Sequence, residues 1–188
     1  MIQAYFREFD VFSEEEIATF IQLFERKTVS KNEFFVREGE RCSEIALIVS
    51  GIFRSFYSSD KGDDITYCFR FPNDLMASYS SFITGNPSLE TMQALSQSEL
   101  FVIKKEKIEK LFSQNHSWTK FLKIIAEQQY LELEKRIFQL QKDSAAQRYK
   151  ALLEHQPEYV QLLPLQYLAS YLGITQRHLS RIRREISF

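Results

Sequence analysis

Cysteine and histidine are too scarce in this sequence to support most metal chemistry. The two cysteines, Cys42 and Cys68, stand apart rather than in a CxxC pair, and two thiols cannot hold a four-cysteine iron–sulfur cluster. The three histidines are His116, His155 and His178. None of them lies in the region 28–104, predicted below to form strands, which argues against haem sensing and against a metal-dependent oxygenase on a small barrel. We therefore expect no metal, no cofactor and no enzymatic activity.

Long apolar runs are also missing. No stretch approaches the roughly eighteen apolar residues of a membrane helix, and the N-terminus lacks the basic start and apolar run of a signal peptide. We expect a cytoplasmic protein with no membrane partner. What the chain does have is apolar content spread along its length. It is 44% hydrophobic over 188 residues, with 17 Phe and 9 Tyr, enough for one sizeable core or two small ones.

Positive charge is concentrated at one end of the chain. Residues 142–188 hold seven basic and four acidic residues, a net charge of +3, whereas residues 1–141 hold 17 basic and 21 acidic residues, a net charge of −4. Residues 175–188 alone contain four Arg and one Glu. A basic patch confined to one end indicates a polyanionic partner for that end only.

Residues 165–185 contain two short helical patterns that meet at Gly173. Apolar or small residues lie on one face of the first helix: Leu165, Leu168, Ala169 and Leu172. Gly173 suits the left-handed turn that ends a helix, and Thr175 can cap the second helix. That helix is predicted to bury Leu179, Ile182 and Ile186. This layout is typical of a DNA-binding helix-turn-helix, although a plain helical hairpin would share part of it.

The polar face of the second helix supplies the candidate DNA contacts. Gln176, Arg177 and Arg181 are the candidates for base edges, because arginine pairs bidentately with guanine and glutamine with adenine. Four further residues are expected to contact mostly phosphates and set register: Thr175, His178, Ser180 and Arg184. Arg183 is interpreted as solvated helix surface.

The N-terminal half begins with a helix and continues as strands. Ser13 and Glu16 form a capping box that predicts a helix over 13–27. Apolar or alternating segments follow at 34–36, 45–49, 52–57, 65–71 and 100–103, with turn signals at Gly39, Gly51, 58–64 and 72–74. Such spacing favours a small antiparallel barrel or roll. Residues 75–91 are rich in hydroxyls and predict a short helix and loop.

A long helix from Trp118 to about Gln141, opened by Ser117, follows a short helix over 105–112. It carries two apolar stripes, which need two partners. One partner would be the roll and the other the same helix of a second subunit, although a helix sandwiched inside a monomer would show the same pattern. The predicted dimer residues are Trp118, Phe121, Ile124, Ile125, Gln128 and Leu131.

The C-terminal part begins at a candidate hinge over 141–144. Asp143 or Ser144 is expected to cap a helix over 145–155. Pro157 and Pro164 frame the segment 159–163, which we predict to be extended.

In this order, the roll, the long helix and the helix-turn-helix resemble the Crp/Fnr family of bacterial transcription factors. The resemblance covers about residues 10–186. It rests on Glu38-Gly39-Glu40, Ser50-Gly51, Pro72-Asn73-Asp74-Leu75 and the Leu-Gly-Ile-Thr…Leu-Ser-Arg run at 172–181. It implies an α+β protein with a cyclic-nucleotide-binding-like β-roll over 1–116, a dimerisation helix over 117–141 and a DNA-binding domain over 142–188. It also implies a homodimer on a palindromic site in double-stranded DNA, with RNA polymerase a further candidate partner.

The sequence departs from the family's cAMP-binding members. Ala77-Ser78 replaces their Gly-Glu pair, and Glu90-Thr91 replaces their phosphate-binding Arg-Ser pair. A glutamate would repel the phosphate that an arginine bridges, so we expect no cAMP regulation. The roll then either binds an unknown small molecule or is filled and ligand-free. The pocket candidates are Ala77, Ser78, Tyr79, Ser80, Ser81, Glu90 and Thr91.

Two further departures concern DNA. Gln176 and Arg177 stand where well-matched members often have arginine and glutamate, so the preferred sequence should differ. Only Ile186-Ser187-Phe188 follow the second helix, which leaves little chain for a wing. The alternative function is a signalling module that has lost DNA contact, against which the four arginines of residues 175–188 argue.

Overall fold

The computed structural model describes residues 1–186, and the predicted lack of a wing falls on residues 187 and 188, outside the described residues. The helices are α1 (Ile2–Arg7), α2 (Glu14–Ile21), α3 (Tyr79–Thr84), α4 (Lys105–Gln114), α5 (His116–Lys142), α6 (Ala145–His155), α7 (Pro157–Leu162), α8 (Leu165–Tyr171) and α9 (Gln176–Ile186). The strands are β1 (Glu25–Val29), β2 (Phe34–Val36), β3 (Glu44–Ser50), β4 (Phe53–Ser58), β5 (Asp64–Arg70), β6 (Leu75–Met76), β7 (Thr91–Ala94) and β8 (Ser98–Lys104).

The strands form two antiparallel four-stranded sheets, in the orders β1-β8-β3-β6 and β2-β7-β4-β5. One apolar cluster draws side chains from both sheets, including Leu47 and Leu100 from the first and Phe53 and Met92 from the second. The predicted fold class, an antiparallel roll followed by a long helix and a helical C-terminal part, is confirmed. No helix within the described residues is long and apolar enough to span a membrane.

The turn after β3 explains the glycine of the Ser50-Gly51 pair. Gly51 has a φ of +94°, a region that side chains with a Cβ rarely adopt. A Cβ on Gly51 would lie 2.6 Å from the Cβ of Ser98 and 2.8 Å from its Cα. Because Ser98 is fully buried at the start of β8 and cannot move aside, only glycine fits this turn.

The predicted N-terminal helix is correct at its start and too long at its end. Ser13 Oγ accepts from the Glu16 N–H and the Glu16 carboxylate accepts from the Ser13 N–H, which completes the capping box. This backbone hydrogen bond, together with one from the side chain of Asn115, lowers the pKa of Glu16. The helix stops at Ile21, and Glu25 pairs with Val102 in β1, so the expectation of helix through Lys27 is wrong. Pairing with distant β8 overrides the local pattern there.

Two later segments also differ from the sequence predictions. The segment 159–163, predicted to be extended, lies largely in α7, because Pro157 occupies the first helical turn, where its missing N–H costs nothing. Only Leu163 is extended there. In the hydroxyl-rich stretch, α3 confirms the predicted helix, but Thr91 begins β7, a strand that the sequence reasoning missed.

The start of the long helix is part of a core rather than a free surface. Asn115 Oδ1 accepts from the Trp118 N–H at 2.9 Å, so Asn115 rather than Ser117 caps the first turn. Trp118 and Phe121 are 2% and 1% exposed and pack edge-on or tilted against rings of the N-terminal segment. Those rings are Tyr5, Phe6, Phe9, Phe12 and Phe20. The prediction that Trp118 and Phe121 face a second subunit is therefore wrong.

The chain divides into two compact units. The first comprises Met1–Tyr57 with Cys68–Ala126, which includes the apolar cluster of the roll and the first residues of α5. The second comprises Ser58–Tyr67 and the chain from Glu127 onward, which includes the rest of α5 and helices α6 to α9. In the second unit, Ser144, one of the two predicted caps, caps α6, and it does so through a capping box with Gln147.

Candidate nucleic-acid interface

The turn between α8 and α9 has the geometry that the glycine predicted. Gly173 has a φ of +71°, its N–H donates to the Ser170 carbonyl at 3.0 Å, and the Ile174 N–H donates to the Ala169 carbonyl at 3.0 Å. These two bonds make a Schellman ending, which satisfies carbonyls that the helix itself leaves without partners. The chain therefore leaves α8 in a fixed direction.

The second helix starts on a threonine cap and packs by its apolar side. Thr175 Oγ1 accepts from the His178 N–H at 3.2 Å, so the predicted cap is present. Leu179 and Ile182 are 0% and 3% exposed, while Ile186 is half-buried. The facing side of α8 is also buried, at Leu168, Ala169 and Leu172. This packing fixes which side of α9 remains outside.

The outer side of α9 is polar and basic. Gln176, Arg177 and Arg181 are exposed, as is Arg184, whereas His178 and Ser180 are half-buried. At 100° per residue, Arg177, Arg181 and Arg184 lie within an arc of about 60°, and Arg183 lies about 130° from its middle. Arg181 Nε lies 3.8 Å from Glu185 Oε1, a surface pair too exposed to hold the guanidinium firmly. Three arginines on one exposed face of a packed helix can meet phosphates and base edges together.

The pocket candidates in the roll are spread between the surface and a network of internal hydrogen bonds. Ser78 is fully buried, and its Oγ lies 2.8 Å from the Oγ of Ser88. The Ser88 hydroxyl also lies 2.7 Å from the Glu90 carbonyl and accepts from the Glu90 N–H at 3.2 Å. Sequence reasoning missed Ser88, because a serine beside a proline in a loop gives no periodic signal.

Two other candidates serve the same local structure. Ser81 Oγ donates to the Asn86 carbonyl at 2.6 Å and accepts from the Cys42 N–H at 3.0 Å. Thr91 Oγ1 accepts from the Glu38 N–H at 3.0 Å. Ala77 and Glu90 are half-buried, and Tyr79 and Ser80 are exposed on α3. The buried hydroxyls thus bond to one another and to backbone groups, and Thr91 joins the segment to the Glu38-Gly39-Glu40 turn.

An open groove of about 410 Å³ lies elsewhere in the first unit, along β1 and β2. Its lining residues are Lys27, Thr28, Val29, Asn32, Glu33, Phe34, Arg37 and Glu40. None of the pocket candidates contributes to it. Among the described residues, no group of three or more His, Cys, Asp or Glu side chains is placed to hold a metal ion. Burial raises the pKa of the Cys42 thiol, which keeps that side chain protonated and unreactive.

The second half of α5 carries an uncovered apolar stripe. Tyr130, Leu133, Ile137 and Leu140 are 64%, 53%, 51% and 45% exposed, and they follow each other by steps of three, four and three residues. That alternation is the seam pattern of a coiled coil. Among the predicted dimer residues, Leu131 and Gln128 are exposed on this helix, and Ile124 and Ile125 are half-buried. The uncovered stripe lies within the predicted dimerisation helix over 117–141, but its residues are not those named as dimer residues.

Comparison with known proteins identifies the first unit most directly. Residues 26–115 match the family model of the cyclic nucleotide-binding domain. No curated protein sequence matches the chain.

Several solved structures share the fold along nearly the whole chain. FixK2 from Bradyrhizobium japonicum is 17% identical with a TM-score of 0.76, covering 87% of this chain and 84% of that one. A putative transcriptional regulator of the Crp/Fnr family from Eubacterium rectale is 18% identical with a TM-score of 0.74, covering 98% and 88%. CLP from Xanthomonas campestris, described as a c-di-GMP-responsive global regulator, is 15% identical with a TM-score of 0.73, covering 91% and 90%.

Proposed function

We propose that this chain, which contains a cyclic nucleotide-binding domain and has the fold of Crp/Fnr regulators, is a dimeric transcription regulator that reads a palindromic DNA site with α9. The observation that carries the proposal is the arginine face of α9, exposed opposite a buried Leu179 and Ile182. A helix packed by its apolar side and basic on its outer side fits the major groove of DNA. The solved structures that share this fold include proteins described as regulators, which supports the same conclusion.

The residues of α9 divide by the chemistry they offer. Arg177 and Arg181 present planar donor forks, and Gln176 presents both a donor and an acceptor, as base-edge contacts require. Arg184 and the partly buried His178 and Ser180 suit phosphates, which set register without specifying sequence. Thr175 keeps its cap bond, and its hydroxyl proton remains able to donate to a phosphate.

The stripe from Tyr130 to Leu140 is the proposed subunit interface. An apolar stripe about half exposed on a helix of 27 residues leaves apolar area in water that a second copy would cover. Pairing two copies along this stripe presents two α9 helices, one to each half-site, about one turn of DNA apart. Leu131 and Phe138, which are 61% and 46% exposed, lie about 120–140° around α5 from the middle of the stripe and would stay outside the seam.

Cyclic AMP is expected to have no effect on this protein. Glu90 offers a negative charge where family members that bind cAMP offer an arginine, and Ser78 and Ser88 form hydrogen bonds within the roll. Calorimetry with cAMP and cGMP should show no binding at about millimolar nucleotide. This concentration would detect any nucleotide whose binding free energy is more favourable than about −4 kcal/mol. Micromolar binding that raises DNA affinity would contradict this expectation.

Arg181→Ala is expected to weaken binding to the specific site by about tenfold to a hundredfold, the value of one bidentate base contact. Arg183→Ala removes the same charge from the same helix at a position outside the arginine arc, so it serves as the matched control. Fluorescence anisotropy with the selected duplex measures both. Equal losses for the two variants would remove Arg181 from the base-reading set, and size-exclusion chromatography should show both as dimers.

Selection of bound sequences from a random DNA pool tests the proposed function as a whole. We expect an enriched palindrome whose halves are centred about 10 base pairs apart. Enrichment of nothing beyond the starting pool would instead favour the alternative, a signalling module with weak or no specific DNA binding.

A further inference from the structure

One arginine of α6 joins the end of the long helix to the turn of the helix-turn-helix. The Nε and Nη2 atoms of Arg148 donate to the Leu172 carbonyl at 3.2 Å and 2.9 Å. Its Nη1 atom donates to the carbonyl of Asp143 and, at 3.5 Å, to that of Gln139. Leu172 is the C-cap residue of α8 and directly precedes Gly173. A single planar group therefore bridges the C-terminal ends of α5 and α8.

A second arginine reaches the same turn from α5 itself. Arg136 Nη2 donates to the Tyr171 carbonyl, and its guanidinium carbon lies 3.8 Å from the centre of the Tyr171 ring. Tyr171 and Leu172 belong to the last turn of α8, where carbonyls lack partners within the helix and the helix dipole favours a positive charge. Both arginines thus donate to carbonyls that α8 itself leaves without partners.

The joint between α5 and α6 is too short to hold α9 in place by contacts of its own. Only Asp143 and the cap Ser144 separate the two helices. The turn that the two arginines contact ends at Gly173, three residues before α9 begins at Gln176. Its Schellman bonds fix the direction in which the chain continues. The arginine contacts with Tyr171 and Leu172 therefore contribute to the orientation of α9 on α5.

We propose that Arg136 and Arg148 determine the spacing between DNA half-sites that the dimer accepts. They are positioning residues, because they fix the angle of the helix-turn-helix on α5 without contacting DNA. The inference rests on the proposed function, because spacing has meaning only for a dimer that binds DNA. Tyr130, Leu133 and Ile137 are exposed on α5, whereas Arg136 makes contacts with the α8 turn. The proposed subunit interface and Arg136 thus lie on the same helix, α5, and Arg148 joins the end of that helix to the α8 turn from α6.

Lysine is the informative replacement, because it keeps the charge but has a single ammonium in place of a fork. Arg148→Lys cannot bond Leu172 and Asp143 in the present geometry at once, and Arg136→Lys loses the flat stacking on Tyr171. Arg148→Met and Lys150→Met form a matched pair that removes one charge each from α6. Lys150 is exposed, which makes its variant the control for a general loss of positive charge.

The experiment measures Kd by anisotropy on the selected palindrome and on duplexes with one or two base pairs added to or removed from its centre. Two base pairs rotate one half-site by about 70°. The full-length wild-type dimer should lose roughly a hundredfold in affinity on these duplexes, since the second half-site can no longer be engaged. Arg136→Lys and Arg148→Lys should flatten that ratio to within about tenfold, whereas Lys150→Met should weaken every spacing equally. An unchanged spacing profile in both lysine variants would overturn the inference.

A second readout needs no DNA. Spin labels at positions 128 and 183 of one chain, in a background with Cys42 and Cys68 replaced by alanine and diluted with unlabelled chain, report the distance from α5 to α9. We expect one narrow distance in the wild type and a broadened distribution in Arg148→Lys. Identical distributions would overturn the inference even if the wild type bound no duplex. A wild type that binds no palindrome at any spacing refutes the proposed function, whereas a spacing-selective wild type with unaltered lysine variants refutes only this inference.

Discussion

Replacing Ile137 with glutamate is expected to yield a folded monomer that binds the palindromic site about a thousandfold more weakly than the wild type. In the proposed dimer, Ile137 lies in the middle of the stripe from Tyr130 to Leu140. A glutamate there would bring two carboxylates face to face in an apolar seam, where charges without partners are costly. Since Ile137 is about half exposed within one chain, the fold itself should tolerate the change.

Loss of the dimer is expected to cause a large loss of affinity for DNA. Two linked α9 helices bind the second half-site at a high effective concentration, which is worth a factor of roughly 10² to 10⁴ over a single helix. Analytical ultracentrifugation gives the subunit state, and anisotropy gives the affinity. Gln128→Glu is the matched control, because it adds the same charge to an exposed position of α5 off the stripe. A dimeric Ile137→Glu protein, or a Gln128→Glu protein that is the more severely impaired, would move the interface to another face.

The second large effect is expected at Phe121. Truncation of a side chain that is 1% exposed, among the rings of Phe6, Phe9 and Trp118, should lower the free energy of unfolding by about 3–5 kcal/mol. Such a loss is a large fraction of the stability of a typical domain, about 5–15 kcal/mol. The first unit should therefore melt well below the wild type.

Phe138→Ala is the control for Phe121→Ala. Both phenylalanines lie on α5, yet Phe138 is 46% exposed, so its truncation should cost less than about 1 kcal/mol. The free energy of unfolding of each variant is measured by urea unfolding, followed by tryptophan fluorescence. Both variants are made in the Ile137→Glu background, because this removes any contribution of the dimer from the two free energies. Trp118 lies 5.4 Å from Phe121 between ring centres and reports on this region directly. Equal losses would show that Phe121 is not part of the core.

The contrast between these phenylalanines marks a limit of sequence reasoning. The periodicity of α5 shows that two faces are apolar, but it does not show which of them the chain itself covers. The covering side chains include Tyr5 and Phe6 of α1, a helix that no sequence prediction anticipated. Contacts between residues more than a hundred positions apart leave no local signal in a single sequence. Two of the predicted dimer residues, Trp118 and Phe121, are therefore buried within the chain, and the subunit interface itself stays a prediction.

Strand pairing sets the same limit in the roll. β1 is polar and follows a helical pattern, yet it pairs with β8 through residues more than seventy positions away, Glu25 with Val102. The short β7 forms between β2 and β4. By contrast, the capping box at Ser13 and the glycine turn at Gly173 were predicted correctly, and Ser144 was one of two predicted caps, because their determinants lie within a few residues. The helix-turn-helix was accessible to sequence reasoning for this reason.

Part of the candidate site also could not be predicted from the sequence. The arginine face of α9 follows from helical spacing alone, but the carbonyls that Arg136 and Arg148 contact become neighbours only after folding. In the roll, the hydroxyl-rich segment suggested a pocket, whereas Ser88 shows that its buried hydroxyls bond to one another and to the backbone. Composition identified the polar groups, and only the structure shows their partners.

An equilibrium titration of the selected duplex tests the central claim most directly. The full chain is titrated into that duplex and into a scrambled duplex of equal length, at several salt concentrations. We predict two chains per duplex, affinity for the selected duplex at least about a thousandfold higher than for the scrambled one, and a linear fall of log K with log salt concentration. One chain per duplex, or equal affinity for both duplexes, would contradict a dimeric protein that reads sequence through α9.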